Sequence, residues 1–441
     1  MIDSLLVANR GEIARRIIRT AKRLGVRTVA VHSEPDAGLP FVAEADEAVP
    51  IGPAQAYRNV DAILAAAKAT GARAIHPGYG FLSENADFAR AVVEQGLTWI
   101  GPGAEAIEAM GDKINARNLM AAAGVPVAPG TRDPAASVSA AVEEAARIGY
   151  PVMVKAAAGG GGMGMAAALD EAALRTEFEK VRGFAERMFG DGSVLIERYF
   201  PRVRHIEVQI LGLADGRVVA LGERECSVQR RNQKVLEESP SPAVSAELRE
   251  RLCAAAVRAG EAVGYRNAGT VECLLDPATG EFFFLEMNTR LQVEHPITET
   301  VYGVDLVEEQ LRVASGLAPA FSSLEAHGHA IELRVNAEDP KRFMPGAGAI
   351  TTWVEPSGEG VRVDAGYGPG TTVTPNYDSL MAKLIVSGPS RDAALARARE
   401  AVAAFQIAGP RNNLPFFAEL LENPEFVSGD YDTGIVGRMR A

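Results

Sequence analysis

The sequence predicts an α/β and α+β multidomain protein, a parallel-sheet unit leading into antiparallel sheets. Three observations carry this. Over roughly the first hundred residues, short apolar segments alternate with amphipathic helical patterns, the βαβ order of a parallel sheet covered on both faces. Beyond residue 200 the pattern becomes long alternating runs joined by turn signals, the mark of antiparallel hairpins. The 441 residues suffice for roughly two to four compact units with sizeable cores.

Leu5–Ala8 reads as the first strand. Ile13, Ile17, Ile18, Ala21 and Leu24 then fall on one helical face, ended by Gly25. Thr28–His32, Arg73–His76 and Thr98–Ile100 are the next strands, separated by helical patterns such as Val60–Ala69 and Asp87–Gln95. The turn ANRGE lacks the spaced glycines of a dinucleotide fingerprint. HPGYGF, residues 76–81, leaves a strand end where ligands gather in such folds, and Ser83 is the expected N-cap of the helix after it. A second unit runs from about Ala128 to Tyr199: a helix over Ser139–Ile148, the strand Pro151–Ala156, a glycine run, a helix near Glu171–Arg182 and the strand Ser193–Glu197. A larger third unit carries hairpins around Asp215-Gly216 and Pro277–Gly280.

Composition excludes several classes. With 47% hydrophobic and 23% charged residues the chain is an ordinary globular one. Its 45 basic against 57 acidic residues give a net charge of −12, which argues against nonspecific nucleic-acid binding and requires a local basic pocket for any anion. Cys226, Cys253 and Cys273 have neither metal-ligand spacing nor a disulfide framework, so a reducing cytoplasm is expected. No signal peptide and no membrane-length apolar run is apparent.

The segment FLEMNTRLQVEHP, 284–296, begins as a buried strand and turns polar. If it stays extended, Glu286, Asn288, Arg290, Gln292 and Glu294 share one face, an acid–base–amide mixture unlike an ordinary solvent face. Glu272 lies in the preceding strand, and a hairpin through Asp276–Glu281 could set it beside Glu286, although the register is open and Glu272 could face the other way. Two paired carboxylates need neutralising, and a hard divalent cation with oxygen ligands would do so.

VMVKAAAGGGGMGM, 152–165, places Lys155 at a strand end before Gly159–Gly162 and Gly164. Glycines let backbone N–H groups approach phosphate oxygens, but no Walker motif is present and a plain mobile turn fits as well. Lys113 opens a helix, ordinarily a surface position. In ECSVQRRNQK, 225–234, Arg230, Arg231 and Lys234 make a basic spot with Gln229 and Gln233, either solvated or anion-binding. His205 shares a strand face with Glu207 and Gln209, and reads as structural in isolation. Arg334, on a strand among apolar residues, needs a partner: Glu294, a ligand or a core acid. Together these segments suit phosphoryl transfer by positioning and charge neutralisation.

VANRGEIARR, AIHPGYGFLSENADFA, GPGAEAIEAMGDK, ECSVQRRNQKV, EMNTRLQVEHPITE, ELRVNAEDP and PNYDSLMAKL together resemble the biotin carboxylase family of ATP-grasp ligases over nearly the whole chain. The resemblance implies a Rossmann-like pre-ATP-grasp domain over 1–112, an ATP-grasp segment over 113–200 with a mobile lid over about 128–199, and 201–441 as the second ATP-grasp half plus a C-terminal antiparallel-sheet domain from about 330. It implies ATP contacts from Lys113, Lys155, Gly161, Gly162, Met165, Glu197, His205, Gln229 and Leu274, with Glu272, Glu286 and Asn288 holding two Mg²⁺ or Mn²⁺ ions. Lys234, Arg290, Gln292, Val293 and Glu294 would take bicarbonate, Glu294 as the base, and Tyr79 and Arg334 would take biotin.

The implied reaction is ATP-dependent carboxylation of carrier-bound biotin through carboxyphosphate. The alternatives are another ATP-grasp ligase with a different acceptor, or a non-catalytic nucleotide-binding partner. Four positions depart from the family pattern: Met163 in place of a basic residue, Ala158 of a glycine, Asn232 of a histidine and Gly346 of a serine. No A-M-K-M biotinylation motif occurs, so a separate biotin carboxyl carrier protein and a carboxyltransferase subunit or domain are the expected partners, unless the chain is a fragment of a longer polypeptide; the resemblance implies a homodimer.

Overall fold

The computed structural model describes residues 1–157 and 163–440. Ala158, Gly161 and Gly162 therefore lie outside the described residues. The first unit is a five-stranded parallel sheet in the order Glu47–Gly52, Arg27–Ser33, Ser4–Val7, Ala74–His76, Thr98–Trp99. Ser4–Val7 is buried along its whole length, as a central parallel strand between helical layers must be. The helix Gly11–Arg23 packs Ile13, Ala14, Ile17, Ile18 and Ala21 inward. The edge strand Glu47–Gly52 is not apparent in the sequence, because it contains Pro50 and has no buried residue.

The turn after Ala74–His76 depends on Gly78. Its φ is +62° and an added Cβ would lie 2.8 Å from Asn9 Nδ2, which itself donates to the carbonyls of Pro77 (2.6 Å) and Tyr79 (2.7 Å). The following helix, Ala86–Glu94, is capped by Asn85, whose side chain accepts from the Phe88 N–H at 2.7 Å. Ser83 is not the cap: the chain makes one more turn, with the Asn85 N–H bonded to the Leu82 carbonyl.

The second unit is a three-stranded antiparallel sheet, Met165–Ala168, Val152–Ala156, Val194–Arg198, backed by the helices Val138–Ile148 and Glu171–Phe189. Its own small core includes Val152, Val154, Leu174, Phe178 and Ile196. Two isolated bridges, Gly130 with Glu197 and Val127 with Phe284, tie the connecting segment to both neighbouring sheets.

The third body is built on an eight-stranded antiparallel sheet: Glu281–Asn288, Asn267–Asp276, Arg204–Gly212, Val218–Arg230, Gln233–Ser239, His329–Asn336, Leu380–Gly388, Val361–Ala365. Both predicted hairpins are present. The expectation of one extended run through Glu294 is not met. The strand ends at Asn288, the Thr289 N–H turns to Glu84 Oε1 (3.1 Å), and the helix His295–Tyr302 begins with Pro296 in its first turn, where a missing N–H costs nothing. Among the described residues no helix is long and apolar enough to cross a membrane.

Candidate active site

The centre of the site is a row of charges across four neighbouring strands. Register places Arg224 opposite Glu207, Glu207 opposite Glu272, and Glu272 opposite Glu286. The open question about the hairpin is thus settled: the two carboxylates are direct cross-strand partners, on one side of the sheet. Three adjacent carboxylates repel unless cations divide them. Arg224 does this from one end. It is fully buried and donates to Glu207 Oε1 (2.5 Å), Gln209 Oε1 (2.7 Å), Gln292 Oε1 (2.8 Å) and two threonine hydroxyls.

Lys234 does it from above. Its Nζ donates to Glu207, to Glu272 Oε1 at 2.8 Å and to Glu294 Oε1 at 2.7 Å. The hairpin that carries it turns at Arg231-Asn232, both at positive φ (51° and 65°). Asparagine tolerates that conformation, which accounts for Asn232 there. The basic spot read from the sequence is divided by this turn. Arg230 donates to the Arg342 carbonyl (2.8 Å) and lies over the Phe343 ring, Arg231 is exposed, and only Lys234 enters the site.

Glu294 sits at the N-cap position of the helix His295–Tyr302. Its second oxygen accepts from Arg334 at 2.9 Å, and the Arg334 Nε donates to Glu237 Oε1 at 2.7 Å, so that arginine has both an acid of the site and a core acid as partners. Arg290 donates to Glu84 Oε2 (2.9 Å) and to Asn288 Oδ1 (2.8 Å). Gln292 and Asn288 each donate to Glu272 Oε1 at 2.8 Å. Val293 is half-buried between Gln292 and Glu294. Leaving the strand therefore did not scatter these side chains: the loop folds Gln292 and Glu294 back onto Glu272 and Lys234.

On the other side, His205 Nε2 is 3.0 Å from Glu272 Oε2, and its Nδ1 is 2.9 Å from Gln229 Nε2. Leu274 is the cross-strand neighbour of His205. Lys155 bonds Glu197 across the three-stranded sheet and has Met165 as its partner on the next strand. Lys113 begins the helix Lys113–Ala122, capped by Asp112. It is not the ordinary surface lysine expected of a helix start. Burial lowers its pKa, against the opposing pull of Glu286 and the added push of Lys155. Tyr79 makes its hydrogen bond outside the carboxylate row, donating to Glu12, but its hydroxyl is near enough to Arg334 to be acted on by that charge. Met163 is exposed, and Gly346 has room for a side chain, with no atom nearer than 3.8 Å to an added Cβ.

The carboxylates split by environment. Burial would raise Glu272, but Lys234 and His205 outweigh it and hold its pKa below the usual carboxylate range. Burial would likewise raise Glu294, but Lys234, Arg334 and Arg224 keep it well below. Glu286 goes the other way, raised by burial and then by the charge on Glu272. Among the described residues Glu286 has no hydrogen-bond or ion-pair partner. A carboxylate facing a second, ionised carboxylate, with Lys113, His205 and Lys234 acting on it only through space, fits a hard divalent cation. Glu272 and Glu286 supply the oxygens. Asn288 Oδ1 is taken by Arg290 in this state, so that amide would serve as a ligand only after releasing the guanidinium.

Four residues of the network escaped the sequence reading: Glu207, Arg224, Glu84 and Glu237. Glu207 was placed on the face of His205 without a role. Arg224, a strand arginine between two glutamates, carried the same signal as Arg334: a buried guanidinium must be paired.

A three-stranded sheet bearing Lys155, together with an antiparallel sheet whose paired carboxylates suit a metal–nucleotide, defines the ATP-grasp class of ligases. The model described as carbamoyl-phosphate synthase L chain, ATP binding domain, matches residues 112–319. Those described as biotin carboxylase N-terminal and C-terminal domains match 1–107 and 332–438. Biotin carboxylase 1 of Bacillus subtilis is 50% identical over 439 residues, covering 98% of both chains. A biotin carboxylase–β-γ-ATP complex from Campylobacter jejuni superposes with a TM-score of 0.96 at 42% identity, covering 99% of both chains. The biotin carboxylase domain dimer of Hydrogenobacter thermophilus 2-oxoglutarate carboxylase, in complex with MgADP, ADP and bicarbonate, gives 0.94 at 44% identity, covering 99% of this chain and 98% of that one. The chain belongs to the biotin carboxylase family.

Proposed function

We infer that this chain carboxylates carrier-bound biotin at the expense of ATP and bicarbonate, giving N-carboxybiotin, ADP and phosphate. The observation that carries the reading is the position of Lys234, whose ammonium joins the carboxylate pair at Glu272 to the acid Glu294. One group thereby links a metal–triphosphate side to an anion side.

In this reading Lys113 and Lys155 meet the phosphates. Glu197, His205, Gln229, Leu274 and Met165 line the nucleotide, as would Gly161 and Gly162. Glu272 and Glu286, with Asn288, hold Mg²⁺ or Mn²⁺, which neutralises the triphosphate. Bicarbonate enters against Lys234 and Arg290, beside Gln292 and Val293, exchanging with the ion pairs those cations make in its absence. Glu294 is a weak base while three cations surround it. It gains proton affinity as Lys234 turns to the ligand, and the same cations make bicarbonate more acidic. The bicarbonate oxygen attacks the γ-phosphorus and ADP leaves; the resulting carboxyphosphate breaks its C–O bond to give CO₂ and phosphate, the phosphate takes the ureido N–H proton of biotin, and the ureido nitrogen adds to the CO₂. Arg334 stabilises the negative charge on the deprotonated ureido group, and Tyr79 lines that side.

We propose the boundaries 1–112, 113–200 with the lid at about 128–199, and 201–441 with a C-terminal part from about 330. The matched ranges support the breaks near 112 and near 330. A carboxyl carrier protein and a carboxyltransferase are the partners, the cytoplasm is the compartment, and a homodimer is the assembly, as in the Hydrogenobacter relative. The test is transfer of labelled bicarbonate to free biotin with ATP hydrolysis. The label should appear in carboxybiotin, and Glu294→Ala should abolish the transfer. Label in another acceptor would favour a different ligase of the class. Full turnover in the variant would remove Glu294 from its role.

A further inference from the structure

Resting on the bicarbonate reading above, we propose that Lys383 is a positioning residue for that site. It acts through the backbone carbonyl of Val293, with Glu12 holding its ammonium in place. Lys383 lies in the strand Leu380–Gly388 and is 0% exposed. Its Nζ donates to the Val293 carbonyl at 2.9 Å and lies 3.0 Å from Glu12 Oε2. A buried ammonium persists only when paired and hydrogen-bonded, and this one has both conditions met.

Its place in the sheet gives the contact its purpose. Lys383 is the cross-strand partner of Arg334 on one side and of Asp364 on the other. Two neighbouring strands thus present adjacent cations to adjacent loop residues: Arg334 grips the Glu294 side chain at 2.9 Å, and Lys383 grips the Val293 backbone. Residues 289–293 run between the end of a strand and the cap of a helix, so no ladder fixes their peptide planes. The peptide unit is planar, and anchoring the Val293 oxygen therefore orients the whole Val293–Glu294 unit. From that unit the Glu294 side chain departs.

Glu12 extends the link. One of its oxygens faces Lys383 and the other accepts from the Tyr79 hydroxyl. A single buried carboxylate, from the first turn of the helix Gly11–Arg23, therefore ties the first unit's ligand-facing turn to the anion loop.

The experiment is steady-state kinetics of Lys383→Met with wild type in parallel. The bicarbonate KM should rise on the order of 10- to 100-fold, the range for removing a residue that orients a functional group. The ATP KM should stay within about threefold, because no nucleotide contact is touched. That split separates positioning from general damage. Lys383→Met leaves Glu12 buried without its cation, so the double variant Glu12→Gln/Lys383→Met, with no charge left over, decides where the single variant does not fold. A folded, ATP-binding variant with a wild-type bicarbonate KM, or with both KM values raised alike, overturns the proposal. Wild type lacking bicarbonate-dependent ATP hydrolysis would instead refute the functional reading beneath it.

Discussion

Arg224→Met would remove the cation at the head of the carboxylate row. The methionine fills most of the volume, so the loss is electrostatic. Arg224 is fully buried and serves Glu207, Gln209 and Gln292 at 2.5, 2.7 and 2.8 Å. Removing one partner of a buried pair costs about 3–5 kcal/mol, since it strands the other charge. Each amide oxygen left buried without a donor adds about 1–3 kcal/mol. These do not sum, because Glu207 keeps Lys234 and an amide can rotate to a new partner. The expected destabilisation is about 4 kcal/mol, read from the urea midpoint of the transition that includes the large sheet. Adding Glu207→Gln removes the stranded charge and should recover about half of the loss. A cost below about 1 kcal/mol for Arg224→Met, or no recovery in the double variant, would refute the view that this row is held by charge division.

Glu286→Gln removes the site carboxylate that, among the described residues, has no hydrogen-bond or ion-pair partner, and should raise the Mg²⁺ or Mn²⁺ concentration needed for half-maximal ATP hydrolysis by about 10- to 100-fold; an unchanged metal titration would contradict its assignment. Arg334→Met leaves Glu294 with Lys234 as its remaining direct cation, so biotin stimulation of ATP hydrolysis should be lost while ATP still binds, as followed by nucleotide-induced thermal shift. At Glu238, burial would raise the carboxyl, but His329 and Arg391 outweigh it and hold it at about 2. The unfolded chain takes up that proton near 4.5, so the stabilisation is present above that pH and drains away as pH falls towards 2, by about 3 kcal/mol in all. Urea unfolding at pH 5 and pH 3 should show a smaller drop for Glu238→Gln than for wild type, and equal drops would refute the assignment.

What the sequence disclosed follows the range over which side chains interact. The Glu272–Glu286 pair was approachable because a four-residue turn joins its strands, leaving only the register open. Arg224 and Glu207 belong to the same row, yet the row spans strands whose neighbours are set by the whole sheet, and no local periodicity announces that order. The polar alternation from Glu286 to Glu294 pointed to the right residues for a partly wrong reason. The strand ends at Asn288, where the Thr289 N–H turns to Glu84, and the loop returns Gln292 and Glu294 through hydrogen bonds to Glu272 and Lys234. Lys113 looked ordinary because burial beneath a neighbouring unit leaves no mark in a helix-start motif. Arg230 and Lys234 looked alike, and a two-residue turn at positive φ sends them to different places.

The central claim is that one pocket joins a triphosphate to bicarbonate so that an oxygen passes between them. Its most direct measurement is hydrolysis of ATP with ¹⁸O-bicarbonate, followed by mass analysis of the phosphate released. Attack of bicarbonate on the γ-phosphorus predicts one heavy oxygen in each phosphate formed during biotin carboxylation, and none when bicarbonate is unlabelled. Phosphate whose fourth oxygen comes from water alone, in enzyme that is carboxylating biotin, would contradict the account.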